Sequence, residues 1–176
     1  MTRVAVIGNA GGGKSTLCRR LSRARQLPLF PIDQIQWKPG WTAASYDEVK
    51  RQHDYILAGD RWIIDGWGPF DLIEARFAAS DTIIVVDLPL YVHYWWTIKR
   101  QVACLFRPRP DGPAGCPMLP MTWPLLKMIW QIHHHARPKL LDLVERYRAG
   151  KAVFHIRSPR ELRQFVQVYC SQSVSP

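Results

Sequence analysis

Several features are scarce in this sequence, and each scarcity argues against a class of protein. No apolar run is long enough to span a membrane, because Asp87, His93 and Lys99 interrupt the most hydrophobic region. The chain enters an apolar run within its first few residues, so we expect no signal peptide. Its four cysteines show no C-x-x-C spacing, which argues against a zinc site or a redox pair. We therefore expect free thiols, a cytoplasmic location and no membrane partner.

Acidic residues are also few, and their shortage is confined to the second half of the chain. Against 24 Lys and Arg there are 14 Asp and Glu, a net charge of +10. Residues 1–87 carry 11 basic and 10 acidic side chains, whereas residues 88–176 carry 13 and 4, a net of +9. A basic half suits nucleic acid, an acidic membrane or a cleft that handles polyphosphate, and it also suits a solvated surface. The length of 176 residues predicts one domain over 1–170, followed by a flexible tail over 171–176.

Glycine is concentrated at one place near the N-terminus, in "GNAGGGKS". The segment fits G-x-x-x-x-G-K-S, the phosphate-binding P-loop, and it lies between an apolar strand and a helical stretch. Glycines there let a phosphate approach the backbone amides, and the following helix adds its positive dipole end. Lys14 is expected to reach the β- and γ-phosphates, and the Ser15 hydroxyl to ligate Mg²⁺. We assign nucleotide binding to Gly8, Asn9, Ala10, Gly11, Gly12, Gly13, Lys14, Ser15 and Thr16.

The rest of the chain alternates between strand-like and helix-like segments. The pattern predicts strands at 3–7, 28–32, 61–65, 82–87 and 151–156, and helices at 14–25, 45–59, 69–78, 89–105, 122–149 (broken near Pro138) and 159–168. Capping boxes mark two of the helix starts, Ser45 with Glu48 and Ser158 with Glu161. Such alternation predicts an α/β fold, a parallel sheet with helices on both faces, whose ligands collect at the carboxyl ends of the strands.

Four charged residues directly follow predicted strands and are expected to face the same crevice as the P-loop. They are Asp33, Asp65, Asp87 and Arg157. Asp87 precedes a proline, and we interpret it as a helix cap. Asp33 and Asp65 each allow two interpretations, a functional carboxylate or a turn residue. A carboxylate at Asp33 could accept a hydroxyl proton during attack on a γ-phosphate, and one at Asp65 could hold Mg²⁺ or orient the attacking hydroxyl.

One proline-rich segment interrupts the alternation. Residues 106–120, "FRPRPDGPAGCPMLP", hold five prolines and two glycines, and they connect two long helices. A loop of this kind in a compact domain predicts a lid over a functional site. Arg100 before it, with Arg107 and Arg109 within it, could neutralise charge on a transferred phosphoryl group. The alternative is a basic surface loop.

The motifs favour a kinase over a GTPase. Guanine recognition in GTPases uses N-K-x-D, and the only asparagine here is Asn9, inside the P-loop. The chain resembles the adenylate-kinase-like P-loop family of DNA topology modulation proteins along nearly its whole length. The resemblance rests on "GNAGGGKST", "LPLFPIDQIQWKPGW", "RWIIDGW", "ASDTIIVVDLPL", "RPRPDGPAGCP" and "HIRSPRELRQF".

That resemblance implies a nucleotide-kinase-like fold with a five-stranded parallel sheet in the order 2-3-1-4-5 and a lid. It implies ATP and Mg²⁺ as cofactors, catalytic roles for Lys14, Asp65, Asp33, Arg107 and Arg109, and contacts from Arg100 and Arg157 to the nucleotide. The arginine that follows "DG" in adenylate kinases is absent from "DGWGPF", which argues against AMP as the acceptor. The expected partners are a nucleoside triphosphate and a small-molecule acceptor, with weak nucleic-acid binding at most. Two other hypotheses remain open: a nucleotide-switched, DNA-associated regulator, and a P-loop protein that binds nucleotide without catalysis.

Overall fold

The computed structural model describes residues 1–106 and 114–170, and at its centre lies a five-stranded parallel sheet. The strands of the chain are β1 (Arg3–Gly8), β2 (Leu29–Pro31), β3 (Trp37–Lys38), β4 (Thr42–Ala43), β5 (Trp62–Asp65), β6 (Thr82–Val86) and β7 (Ala152–Ile156). The sheet order is β2-β5-β1-β6-β7, and β3 and β4 form a separate antiparallel hairpin. Numbered among themselves, the five sheet strands follow the predicted order 2-3-1-4-5. The predicted α/β fold class is therefore confirmed.

Helices cover both faces of this sheet. They are α1 (Lys14–Arg25), α2 (Ile32–Gln36), α3 (Tyr46–Leu57), α4 (Phe70–Ala79), α5 (Leu90–Cys104), α6 (Thr122–Gln131), α7 (Arg137–Tyr147) and α8 (Pro159–Cys170). At both predicted capping boxes the serine caps its helix: the Glu48 amide donates to Ser45 Oγ at 3.3 Å, and the Glu161 amide donates to Ser158 Oγ at 3.1 Å. These local signals therefore begin α3 and α8 where the sequence predicts.

Alternate residues of each central strand supply two separate cores. Val4 and Val6 of β1 face a cluster that includes Leu17 of α1 and Phe165 of α8. Their neighbours Ala5 and Ile7 face the other cluster, to which α4 and α7 contribute. Both sides of β1 are completely buried, which explains why the strand reads as a continuous apolar run.

The region after β2 differs from the prediction of a plain strand over 28–32. A short helix, α2, follows immediately, and the "WKPGW" segment then forms the β3–β4 hairpin around a 3₁₀ turn. Contacts distant in sequence hold this hairpin: Trp41 Nε1 donates to the Pro117 carbonyl at 2.8 Å, and the Gly40 amide donates to the Gly115 carbonyl at 3.0 Å. Because the partners lie about 75 residues away, the local sequence pattern does not reveal them.

The predicted break in the helix over 122–149 is present, but it precedes Pro138 as a π-helical turn over Ile132–Ala136. Proline lacks an amide hydrogen, and its ring collides with the carbonyl four residues earlier in a regular helix. The wider turn removes that collision, and the Arg137 amide donates to the Ile132 carbonyl, five residues back. The proline thus widens the helix one turn ahead of itself.

A buried arginine fixes the turn after β5. Arg76 of α4 is completely buried, and its Nη1 donates to the Gly66 carbonyl at 2.8 Å. Its Nε donates to Nε2 of His53, also completely buried, at 3.4 Å. Burial, together with the positive charge of Arg76, lowers the pKa of His53 to about 4. The neutral imidazole therefore accepts a hydrogen bond from the cation that holds the Asp65–Gly66 turn.

This pair predicts that stability falls as the pH is lowered below about 6.5. The folded state keeps His53 neutral down to about pH 4, whereas the unfolded chain takes up the proton near 6.5, so acid favours unfolding between these values. Each such histidine contributes a slope of about 1.4 kcal/mol per pH unit. Urea unfolding of the wild type and of His53→Gln between pH 7 and pH 5 measures the slope, which should be shallower in the variant. The exposed His135→Gln variant is the control, and an unchanged slope in His53→Gln would contradict the prediction.

Candidate functional site

The P-loop connects β1 to α1 and has the conformation that its glycines permit. Gly11 and Gly13 have φ of 72° and 79°, in the left-handed region, and Gly13 is the N-cap of α1. The Lys14 ammonium lies back over the loop and donates to the Asn9 carbonyl at 2.8 Å. Backbone amides and the N-terminus of a twelve-residue helix therefore meet at one point, as anion binding requires.

A second reason for the glycines is the close approach of the protein itself. A Cβ on Gly8 would lie 2.1 Å from the Val86 carbonyl oxygen of β6. A Cβ on Gly11 would lie 2.1 Å from Thr97 Oγ1 and 2.6 Å from the His93 carbonyl oxygen, both on α5. Helix α5 thus packs directly against the outer side of the loop, and it leaves no room there for a side chain.

Two polar contacts tie the loop to the neighbouring helices. His93 Nδ1 donates to the Ala10 carbonyl at 2.8 Å, and burial lowers the pKa of His93 to about 4, so the ring is neutral. The Asn9 side chain accepts from the Ala10 amide at 2.8 Å, and its Nδ2 donates to the Ile129 carbonyl of α6, also at 2.8 Å. The side chain of Asn9 therefore fixes the loop to α6, which the motif alone does not predict.

Three of the charged residues singled out from the sequence affect the pKa of Lys14. Burial lowers the pKa of its ammonium, and the negative charges of Asp65 and Asp33 oppose that lowering. The guanidinium of Arg100 on α5 lowers it slightly. The charges of two carboxylates and of a second cation therefore all act on the P-loop lysine.

The two carboxylates reach this point from neighbouring strands. Asp65 is the last residue of β5 and pairs in register with Val6 of β1, so it ends beside the P-loop, 5% exposed. Asp33 lies in the first turn of α2, directly after β2. Its Oδ1 is 4.0 Å from where a Cβ would stand on Gly66, so the two carboxylates share the turn after β5. The Gly66 carbonyl in that turn is the one held by Arg76.

The remaining predicted residues fall at several places. Ser15 is half-buried in the first turn of α1, and Thr16 beside it is exposed. Arg157 follows β7, where its amide donates to Glu161 Oε2 at 2.8 Å, inside the capping box of α8. Arg107 and Arg109 lie outside the described residues, as do seven of the fifteen residues of the predicted lid. Residues 115 to 117 of that segment contact the β3–β4 hairpin.

The interpretation of Asp87 as a helix cap is wrong. Helix α5 begins after Pro89 without a side-chain cap. The carboxylate of Asp87 instead accepts two hydrogen bonds from Arg137, at 2.6 and 2.8 Å, and one from His155 Nε2 at 2.9 Å. Burial alone would raise the pKa of Asp87, but these hydrogen bonds outweigh it and hold the pKa low. The residue therefore joins α7 to β7 beside the P-loop.

No role was predicted from the sequence for Arg76 or His93, although both residues support the site. Arg76 falls among Leu72, Ile73 and Phe77, the buried positions of α4, and a charge at such a position is a signal that it has a specific partner. His93 likewise lies on the buried face of α5 beside Val92 and Thr97. Helical periodicity alone could have identified both.

Solved structures of small-molecule kinases share this fold. Shikimate kinase from Acinetobacter baumannii, in complex with shikimate, matches with a TM-score of 0.55 at 12% identity, over 99% of this chain and 96% of that one. Shikimate kinase from Bacteroides thetaiotaomicron matches with a TM-score of 0.52 at 14% identity, over 95% of both chains. An unliganded sugar kinase from Janibacter sp. matches with a TM-score of 0.50 at 14% identity, over 100% of this chain and 99% of that one.

These likenesses confirm the P-loop, nucleotide-kinase-like fold that the sequence resemblance implies. No model of a known protein family matches this chain, and no curated protein matches its sequence. Membership of the DNA topology modulation family therefore stays a prediction.

The packing of α5 against the P-loop can be tested with two glycines of nearly equal φ. Gly11 and Gly40 have φ of 72° and 73°, but a Cβ on Gly40 meets nothing within 4 Å. Gly40→Ala should cost about 1 kcal/mol of stability for its backbone alone. Gly11→Ala should cost at least about 2 kcal/mol more, because α5 must shift to admit the methyl group. Urea unfolding measures both.

Thr97→Ala in the Gly11→Ala background should restore only part of the loss. It removes the overlap with Oγ1 but leaves the one with the His93 carbonyl oxygen. Equal costs for Gly11→Ala and Gly40→Ala would contradict the described packing.

Proposed function

We propose that this protein is an ATP-dependent phosphotransferase acting on a small molecule. The observation that carries the proposal is the convergence of Asp65 and Asp33 on Lys14 at the end of the P-loop. A loop that only binds nucleotide needs the amides and the lysine. Transfer to a hydroxyl acceptor also needs a base that takes the proton of the hydroxyl, and the second carboxylate, Asp33 after β2, can be that base.

Each of these groups has a distinct role in the proposed reaction. The loop amides and Lys14 bind the phosphates, and Lys14 compensates negative charge on the transferred group. Arg100 adds a second positive charge on the α5 side. Arg157 lies in the loop after β7, where adenylate-kinase-like proteins enclose the adenine edge.

The donor set beside Lys14 fits a magnesium ion. Ser15 offers a hydroxyl from the first turn of α1, and Asp65 offers a buried carboxylate from the end of the adjacent strand. Both are hard oxygen donors of the kind Mg²⁺ takes, usually with phosphate oxygens and water completing the shell. When bound, the ion would neutralise charge on the β- and γ-phosphates.

In the proposed reaction, Asp33 serves the acceptor. It would take the proton of an acceptor hydroxyl as that oxygen bonds to the γ-phosphorus and the bond to the β,γ-bridging oxygen breaks, with ADP as the leaving group. The kinase-like neighbours, one of them solved in complex with shikimate, support a nucleotide and a small-molecule substrate. The missing arginine in "DGWGPF" argues against AMP, so the acceptor class favoured is a hydroxyl compound.

The net charge of +9 over residues 88–176 favours a second candidate, a DNA-associated regulator switched by nucleotide. Such binding should be weak, independent of sequence and steeply reduced by salt. Tight DNA binding at physiological salt without phosphotransfer to any acceptor would favour the regulator over the kinase.

Lys14→Ala tests whether the loop binds nucleotide. The variant removes the cation from the phosphate site, so Mg-ATP affinity measured by calorimetry should fall at least about a hundredfold, the equivalent of ~3 kcal/mol. The fold should persist, because burial already disfavours the charged ammonium. Lys139→Ala, an exposed lysine on α7, is the control. Unchanged ATP affinity in Lys14→Ala would contradict a phosphate role for the loop.

Asp33→Asn separates catalysis from nucleotide binding. The change keeps the shape of the side chain but removes its negative charge and most of its basicity, so turnover should drop by about a hundredfold or more while ATP binding persists. The assay is ATP consumption across a panel of nucleosides, nucleotides and small hydroxyl metabolites. Asp47→Asn in the first turn of α3 is the matched control. Loss of folding in Asp33→Asn would favour the turn-residue reading, and ATP binding by the wild type without turnover on any acceptor would favour a non-catalytic protein.

A further inference from the structure

The outward face of α5 is apolar over its whole length. The side chains that face away from the sheet are Tyr91, Trp95, Ile98, Val102 and Leu105, all between 45% and 74% exposed. They recur every three or four residues and form one stripe along the helix. The opposite face, with His93 and Thr97, is buried against the P-loop. Helix α5 therefore buries a largely polar face against the P-loop and exposes an apolar one.

The neighbouring helix α6 also has large apolar side chains that are exposed. Trp123, Met128 and Trp130 are each at least 40% exposed. Two lysines lie over exposed tryptophan rings: Lys99 Nζ is 4.8 Å from the Trp95 ring centre, and Lys127 Nζ is 5.6 Å from that of Trp123. Each helix thus presents aromatic rings with a cation beside them.

The charge around this surface has one sign. The charged side chains of α5 and α6 are Lys99, Arg100 and Lys127, and neither helix has an acidic residue. A large apolar surface on a soluble chain marks an interaction site. Its basic surroundings require a partner that is negatively charged.

We propose that the outer face of α5, with the flanking tryptophans of α6, docks onto the surface of an anionic lipid bilayer. Tryptophan and tyrosine favour the membrane–water interface, and lysines beside them can reach lipid phosphates while the rings enter the acyl boundary. A second copy of this chain docked by the same face would oppose basic charge with basic charge. An anionic membrane instead pairs the charges and covers the apolar stripe.

The proposed contact lies along the surface and does not cross the bilayer. None of the helices in the described residues combines the length and apolar character that a bilayer crossing demands. Fifteen residues of α5 measure about 22 Å, enough to lie in the interface as a single rigid face. This contact departs from the predicted lack of a membrane partner, which rests on the lack of a spanning segment in the sequence.

Sedimentation with vesicles tests the proposal without nucleotide, so its outcome is independent of the proposed kinase activity. The vesicles are phosphatidylcholine alone, or phosphatidylcholine with about one third phosphatidylglycerol. The wild type should sediment with the anionic vesicles only, and added salt should weaken the binding. Trp95→Ser with Ile98→Ser should reduce binding at least about tenfold by removing apolar contact. Lys99→Glu with Lys127→Glu should reduce it at least about tenfold by removing charge attraction.

Each variant has a matched control elsewhere on the surface. Tyr55→Ser with Val168→Ser removes two apolar side chains that are 83% and 61% exposed on other helices. Arg20→Glu with Arg51→Glu makes the same change in net charge at exposed positions of α1 and α3. Circular dichroism confirms that all variants are folded, and both controls should bind like the wild type.

Three results would overturn the proposal: no sedimentation with anionic vesicles, equal loss of binding in a control variant, or a stable dimer in solution that the Trp95→Ser, Ile98→Ser variant converts to monomer. The last result would identify the face as a contact between two copies of the chain.

Discussion

The partial burial of Lys14 is the constraint on which the site depends. Taking a cation out of water is costly unless negative charge approaches it, and here the compensating carboxylates are Asp65 and Asp33. They can reach Lys14 only if β5 lies next to β1 and β2 lies next to β5. The chemistry of the loop therefore depends on the strand order. In another order, Asp33 and Asp65 would not compensate the charge of Lys14.

Helix α5 connects this requirement to the rest of the molecule. Its inner face approaches Gly11 so closely that only glycine fits, and His93 holds the loop carbonyl of Ala10. The same helix brings Arg100 towards Lys14. The loop conformation is therefore set by α5 as much as by the glycines, and a change in the position of this helix must change the phosphate site.

Local signals in the sequence were sufficient for much of the fold. Buried strands, helical periodicity and the cap residues Ser45 and Ser158 predict the elements, because each signal acts within a few residues. The sheet order followed from the family resemblance and not from these local signals. The converging positions of Asp33 and Asp65 also follow from strand ends alone. Identifying these as neighbours of Lys14 needs only the rule that parallel strands end at one edge.

The features that the sequence did not predict depend on contacts between distant segments. The β3–β4 hairpin is held by carbonyls of residues 115 and 117, and Asp87 is engaged by Arg137 from a helix 50 residues away. The π turn ahead of Pro138 is a local effect, but its position depends on which carbonyl the proline displaces. Arg76 and His93 are different, because helical periodicity in the sequence is enough to place both on buried helix faces.

The two faces of α5 are linked energetically because they belong to one short helix. The inner face is held by packing and by the His93 hydrogen bond, while the outer face exposes Trp95 and Ile98 to water. A partner that binds the outer face only when α5 is packed against the P-loop stabilises that position of the helix by the free energy of binding. Because α5 sets the conformation of the P-loop, the same free energy stabilises the phosphate site. The apolar stripe and the nucleotide loop, on opposite sides of one helix, are therefore coupled through its position.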